Sequence, residues 1–213
     1  MYENLNDKEV KALFERGNNF IRMGNLTAAV RDYSIVLAHW PDFAPAYFNR
    51  GFARQHGERD LGGAISDYTA ALQHKPQFPE ALINRAIAHQ QGGDPAAALA
   101  DYTAAIAQAP DSAQAYVNRG ELYFAQGDFA LALADFQAAH LLKAGYRYAI
   151  AGRALAHYAL GESAAAYELW ADLLNRDESL GQLDHLAREL GWAGPLLDWA
   201  ARLLADYRAQ FGV

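Results

Sequence analysis

The chain has 213 residues, 52% hydrophobic and 20% charged, a formal net charge of −7 and no cysteine. This is the composition of a folded chain and excludes extended disorder. The acidity and the lack of a Lys/Arg stripe argue against nucleic acid, which binds through displaced counterions. Without cysteine there is no disulfide and no thiolate chemistry, and no run approaches the ~18 apolar residues of a bilayer span.

Residues 1–9 form a lead-in. The opening MYENLNDKEVKALFERGNNF lacks a basic start followed by an apolar run, so no signal peptide and no membrane insertion are expected, and the cytoplasm is the expected location. From residue 10 a pattern recurs five times, over 10–43, 44–78, 79–112, 113–146 and 147–180. In the first unit LFERGNNFIRMG and AVRDYSIVLAHWP carry apolar residues at steps of three and four, the period of two amphipathic helices. The second unit holds one extra residue near HGERDLGG. In the third, Pro95 behind Asp94 fits the first turn of a helix after its N-cap. Gly24, Gly93, Gly127 and Gly161 punctuate the middles of their units, where a tight turn would sit. Pro41, Pro76 and Pro110 close the first three units, whereas the fourth and fifth lack that proline.

The size marks keep step. Ala29, Ala64, Ala98, Ala132 and Ala166 follow one another at 35, 34, 34 and 34 residues, each with a ring four residues on: Tyr33, Tyr68, Tyr102, Phe136 and Trp170. Upstream of each alanine lies another small residue, Gly17, Gly51, Ala86, Gly120 and Ala154. Two helices approach closely only over small side chains, and a ring fills the adjoining groove. After residue 180 the marks vanish. SLGQLDHLAREL, ended by Gly191, and LLDWAARLLADYRAQF, with Pro195 at its start, read as two amphipathic helices over 181–213. Leu183, Leu186, Leu190, Trp192, Leu196, Trp199 and Leu203 are expected to cap the last unit's apolar face, the rival being a dock for another chain.

This pattern resembles the tetratricopeptide repeat, a helix–turn–helix unit of about 34 residues. The resemblance implies an all-α fold, a right-handed superhelical solenoid of antiparallel helix pairs with five repeats plus capping helices. It also implies that the first helix of each pair lines a concave face that commonly holds a peptide.

Charges recur as well. Asp32 and Arg50, Asp67 and Arg85, Asp101 and Arg119, and Asp135 and Arg153 are each 18 residues apart, whereas Arg16–Asp32 and its counterparts within repeats are 16 or 17 apart. The constant spacing predicts that each Asp pairs with the Arg of the following repeat, as an architectural ladder, with Arg153 meeting Asp135. Anion binding by these arginines is the lesser reading.

The lining positions that the resemblance implies place Phe14, Asn18, Phe48, Phe52, Ile83, Ile87, Val117 and Phe124 on the groove, with Asn49, Asn84 and Asn118 beside the arginines. An exposed apolar strip of this kind marks a protein-binding site, suited to an amphipathic helix or a peptide with apolar anchors. The plainer reading is packing between first helices. A carboxylate clamp of the type that some relatives use is rejected, because Phe14, Glu80 and Asn84 stand where it needs cations, although Asn18 and Asn49 match its asparagines. His185 and Glu189 lie one helical turn apart, a spacing that more often means a solvated face than a metal site. With no phosphate-cradling loop or nucleophile elbow, the chain reads as a non-catalytic adaptor without cofactor or metal. A self-assembling homo-oligomeric scaffold and a chaperone-like holder of a hydrophobic segment are its rivals.

Overall fold

Residues 5–212 are described in the computed structural model; the first four residues of the lead-in and residue 213 lie outside them. The described residues hold twelve α-helices and no strand, and the chain divides into two compact units, Met1–Pro110 and Asp111–Val213. The first unit contains α1 (Asp7–Arg22), α2 (Leu26–His39), α3 (Ala44–Ala53), a π-helical turn (Arg54–Glu58), α4 (Leu61–His74), α5 (Pro79–Gln91) and α6 (Pro95–Gln108). The second contains α7 (Ala113–Gln126), α8 (Phe129–Leu142), α9 (Arg147–Ala159) and α10 (Ser163–Arg176). A 3-10 turn (Glu178–Gly181), α11 (Leu183–Glu189) and α12 (Pro195–Phe211) follow. Consecutive helices pack as pairs: α1 with α2, α3 with α4, α5 with α6, α7 with α8, and α9 with α10.

Local chemistry explains the boundaries. Helix α1 starts inside the expected lead-in because Asn6 and Glu9 form a reciprocal capping box, each side chain taking the other's backbone N–H at 3.1 and 2.9 Å. Gly24, Gly93, Gly127 and Gly161 all carry φ between +74° and +87°, the left-handed turn that lets a helix stop and reverse. The second pair turns differently. Its extra residue is absorbed by the π-helical turn, which ends at Arg59 with φ +53°, and Asp60 restarts the chain by accepting from the Gly63 N–H at 2.9 Å.

Inside the first, second and fourth pairs a ring lies against a glycine of the partner helix. A Cβ built on Gly17 would fall 2.7 Å from the Tyr33 ring, on Gly51 2.9 Å from Tyr68 and on Gly120 3.0 Å from Phe136. Phe136 also packs against the next repeat at Gly152, where a Cβ would fall 2.6 Å from the ring. The five marker rings are all buried.

The charged ladder corrects the sequence reading. Each Asp pairs with the Arg of its own repeat, at separations of 16, 17, 16 and 16 residues. Arg16–Asp32, Arg50–Asp67, Arg85–Asp101 and Arg119–Asp135 are bidentate through Nε and Nη2, at 2.6–2.9 Å. The link to the preceding repeat runs through a hydroxyl instead: Arg50 Nη1 donates to Ser34 Oγ at 3.2 Å and Arg85 Nη1 to Thr69 Oγ1 at 3.0 Å. The π-helical turn keeps Arg50 facing Asp67 despite the extra residue and adds Arg54, whose Nη1 donates to Asp67 at 2.8 Å. Arg153 does not meet Asp135: no ion pair joins them among the described residues, and the Arg153 Nε is buried without a partner.

Gly152→Ala is expected to destabilise the chain by about 1–3 kcal/mol in urea unfolding, because the overpacking at Phe136 outweighs the helix propensity gained. A double-mutant cycle on Arg85 and Asp101 should return a coupling of about 1–3 kcal/mol, as for a bidentate, largely enclosed pair, against less than about 0.5 kcal/mol for Arg85 and Asp67.

Candidate functional site: the face of the first helices

In the first unit the expected groove residues fall on α1, α3 and α5. Phe14 meets Phe43 edge-on at 5.0 Å and leans on Tyr33 at 5.8 Å. Phe48 repeats that arrangement one repeat later, 4.9 Å from Phe78 and 5.9 Å from Tyr68, and Phe52 lies 4.4 Å from the His56 ring. Phe14, Phe48, Phe52, Ile83 and Ile87 are all half-buried. The three Phe rings are held on one side by neighbouring rings while part of their surface meets solvent.

Amides run alongside this strip. The Asn18 carbonyl accepts from Tyr33 Oη at 2.7 Å and from Asn49 Nδ2 at 2.9 Å, which ties α1 to α3. Gln55, buried, accepts from Tyr68 Oη at 2.9 Å and donates to Gln91 at 2.9 Å, tying the end of the second first-helix to α5. Burial of the Tyr33 hydroxyl pushes its pKa up to about 12, so it stays a donor at any ordinary pH. Asn18 and Asn49 therefore serve each other. Asn84, half-buried, makes no hydrogen bond among the described residues.

The second unit overturns part of the expected groove. Val117 and Phe124 are each 1% exposed and belong to the core. The chain's own C-terminal segment reaches Phe124 through Trp199, as α12 packs on α7 and α9, the first helices of their pairs. Trp192 Nε1 donates to Glu121 Oε1 at 3.1 Å, and Trp199 stands edge-on to Phe129 at 5.4 Å, Tyr158 at 6.0 Å and Phe124 at 6.3 Å. Polar contacts join the two parts: Tyr148 Oη donates to the Glu189 carbonyl at 3.0 Å, Tyr158 Oη to the Asp206 carboxylate, and Arg147 pairs with Glu189 at 3.2 Å. Asn118 is engaged by Gln114 at 2.5 Å.

Of the expected capping residues, Leu186, Leu190, Trp192, Leu196 and Leu203 are buried, Trp199 is half-buried and Leu183 is 38% exposed. Their apolar spacing showed that a face is covered without showing what it covers. Sequence reasoning did not single out Glu121. Its carboxyl is desolvated and held by one indole N–H, so burial pushes its pKa from 4.5 up to about 7 while the Trp192 hydrogen bond partly opposes the shift.

No group of three or more His, Asp or Glu side chains arranged for a metal ion is present among the described residues, and no helix there is long and apolar enough to cross a membrane. The sequence profile of the tetratricopeptide repeat matches residues 14–77 and 83–150. Among solved structures, PilW, described as a widely conserved type IV pilus biogenesis factor, is 21% identical with a TM-score of 0.73, over 96% of this chain and 93% of its own. MamA from Desulfovibrio magneticus RS-1 is 18% identical with a TM-score of 0.73, over 83% of this chain and 98% of its own. YrrB, described as having an unusual peptide-binding site, is 18% identical with a TM-score of 0.63, over 75% of this chain and 86% of its own. At these identities the likeness is one of fold. No curated protein matches the chain.

Because folding raises the Glu121 pKa, the folded chain takes up a proton between pH 4.5 and about 7. The stability that this site contributes is therefore full below pH 4.5 and is lost as pH rises through about 7. Glu121→Gln should stabilise the chain at pH 8 by on the order of 2 kcal/mol and change little near pH 4, as read from thermal unfolding at the two pH values.

Proposed function

The chain belongs to the tetratricopeptide repeat family, and on that footing we propose that it is a non-catalytic adaptor holding an amphipathic helix or apolar peptide on the face of α1, α3 and α5. One observation carries the reading. In the second unit the corresponding face, built by α7 and α9, holds an amphipathic helix through indole rings, and that helix is the chain's own α12. The first unit offers the same kind of surface with no such helix of its own upon it among the described residues. Phe14, Phe48 and Phe52 provide aromatic floors that are already fixed, so a ligand meets little ordering cost there. Ile83 and Ile87 continue the strip, and the Asn84 amide is available to a peptide backbone. Asn18 and Asn49 act by holding the first helices together.

A partner with apolar anchors at helical spacing fits this surface. An acidic tail does not, because the strip offers no row of cations. A chaperone-like hold on a hydrophobic segment would use the same residues. Scaffolding and a cytoplasmic setting are extensions of the same reading.

The test is a pull-down with the wild type and a Phe48→Glu/Phe52→Glu variant, with helicity checked by circular dichroism. A carboxylate on either floor ring should weaken the bound partner about tenfold or more, the loss expected of a central anchor. An unchanged set of partners on a folded variant would move the binding surface elsewhere.

A further inference from the structure

The fifth repeat breaks a rule that the other four keep. Arg16, Arg50, Arg85 and Arg119 each grip the Asp of the second helix in their own repeat. In the fifth repeat the residue 16 positions beyond Arg153 is Leu169. The guanidinium therefore has no carboxylate: its Nε is buried without a hydrogen-bond partner, and no ion pair reaches it among the described residues. Arg153 as a whole is only half-buried, so part of its side chain meets solvent.

The surroundings add to the imbalance. The Nδ1 of His140, on α8, is also buried without a partner. Burial lowers the His140 pKa, and the positive charges of Arg153 and Arg176 lower it further, against a smaller opposing pull from Asp172. Asp172 is itself taken up by Arg176, at 3.0 Å. The charges that act on His140 are thus two guanidiniums and one carboxylate. A half-enclosed cation with an unmet donor favours an acceptor that matches its planar fork. This chain meets that need four times with a carboxylate.

We infer that Arg153 offers its guanidinium to a carboxylate supplied from outside the chain, the charge partner that Asp32, Asp67, Asp101 and Asp135 supply to the other arginines. The position suits an intermolecular contact. Arg50 and Arg85 reach back to hydroxyls on the second helices of their neighbours, and the charges around Arg153 likewise lie on α8 and α10. The site therefore belongs to the side of the second helices, whereas α12 packs on the first helices α7 and α9. It is independent of the strip on α1, α3 and α5, so the fate of either assignment leaves the other standing.

The experiment follows the side-chain Nε–Hε signals of the full-length, nitrogen-15-labelled chain by NMR. Sodium acetate is titrated against sodium chloride at matched ionic strength, with inorganic phosphate and the peptide acetyl-Gly-Asp-Gly-amide as further probes. The Arg153 signal should move and saturate with acetate in the millimolar range, a dissociation constant on the order of 1 mM or weaker, while those of Arg50 and Arg85 stay in place. Leu169→Asp should place the Arg153 signal at the paired position from the outset and abolish the response. The His140 pKa should rise as acetate saturates the site, and Arg153→Gln should remove that rise, which keeps the test open if Leu169→Asp fails to fold. Tighter binding of the peptide than of acetate assigns the carboxylate to an acidic side chain of a protein, and equal binding to a small free acid. An Arg153 signal that responds identically to acetate and chloride, a response undiminished in Leu169→Asp, or phosphate binding in preference to acetate would each overturn the assignment.

Discussion

A ring pressed onto a glycine of its partner helix is the contact on which the first, second and fourth repeats depend. Gly17 beneath Tyr33, Gly51 beneath Tyr68 and Gly120 beneath Phe136 bring paired helices close enough for the ring to fill the whole gap. A tyrosine at this point brings a hydroxyl into the core, and the first helices supply its acceptors: Asn18 for Tyr33, Gln55 for Tyr68 and Gln90 for Tyr102. Packing and polar satisfaction are thus met by one residue. The last repeat departs from this arrangement. Trp170 fills the space, but its Nε1 finds no partner, in the same repeat whose Arg153 has lost its Asp.

These size marks were legible because steric demand leaves a direct trace: a position that must be small is small each time it recurs. The charges left a more ambiguous trace. A constant spacing of 18 residues suggested pairing between repeats, yet the pairs form within repeats at 16 or 17. The extra residue of the second repeat was the deciding clue and pointed the wrong way. It enters as a π-helical turn between Arg50 and Asp67, which adds a residue while leaving both side chains face to face. Spacing records chain length, whereas pairing depends on which faces the helices present. The close approach of Gly152 to Phe136 went unread for a related reason, since it lies between repeats and outside the marks that define one.

The candidate site was legible to a similar depth. Phe48 and Ile83 hold the same repeat position as Val117 and share its apolar chemistry, and nothing local distinguishes the open pair from the buried residue. The difference comes from residues 192–206, far along the chain, whose indoles and carboxylate meet Glu121, Phe124 and Tyr158. Amphipathic period announces that a face is buried, and only the fold chooses the partner. The first-helix face of the second unit is filled by its own chain, whereas that of the first unit carries no such helix among the described residues.

The most direct measurement is methyl NMR of isoleucine in the full-length chain during titration with a synthetic peptide copying α12, residues 195–211, the one helix this fold is seen to hold on a first-helix face. The account predicts that the Ile83 and Ile87 methyl signals shift and saturate while that of Ile150, in the core of the second unit, stays in place. Movement of Ile150 with Ile83 and Ile87 unchanged would mean that the ligand displaces α12 from the second unit, and would contradict the assignment of binding to the first.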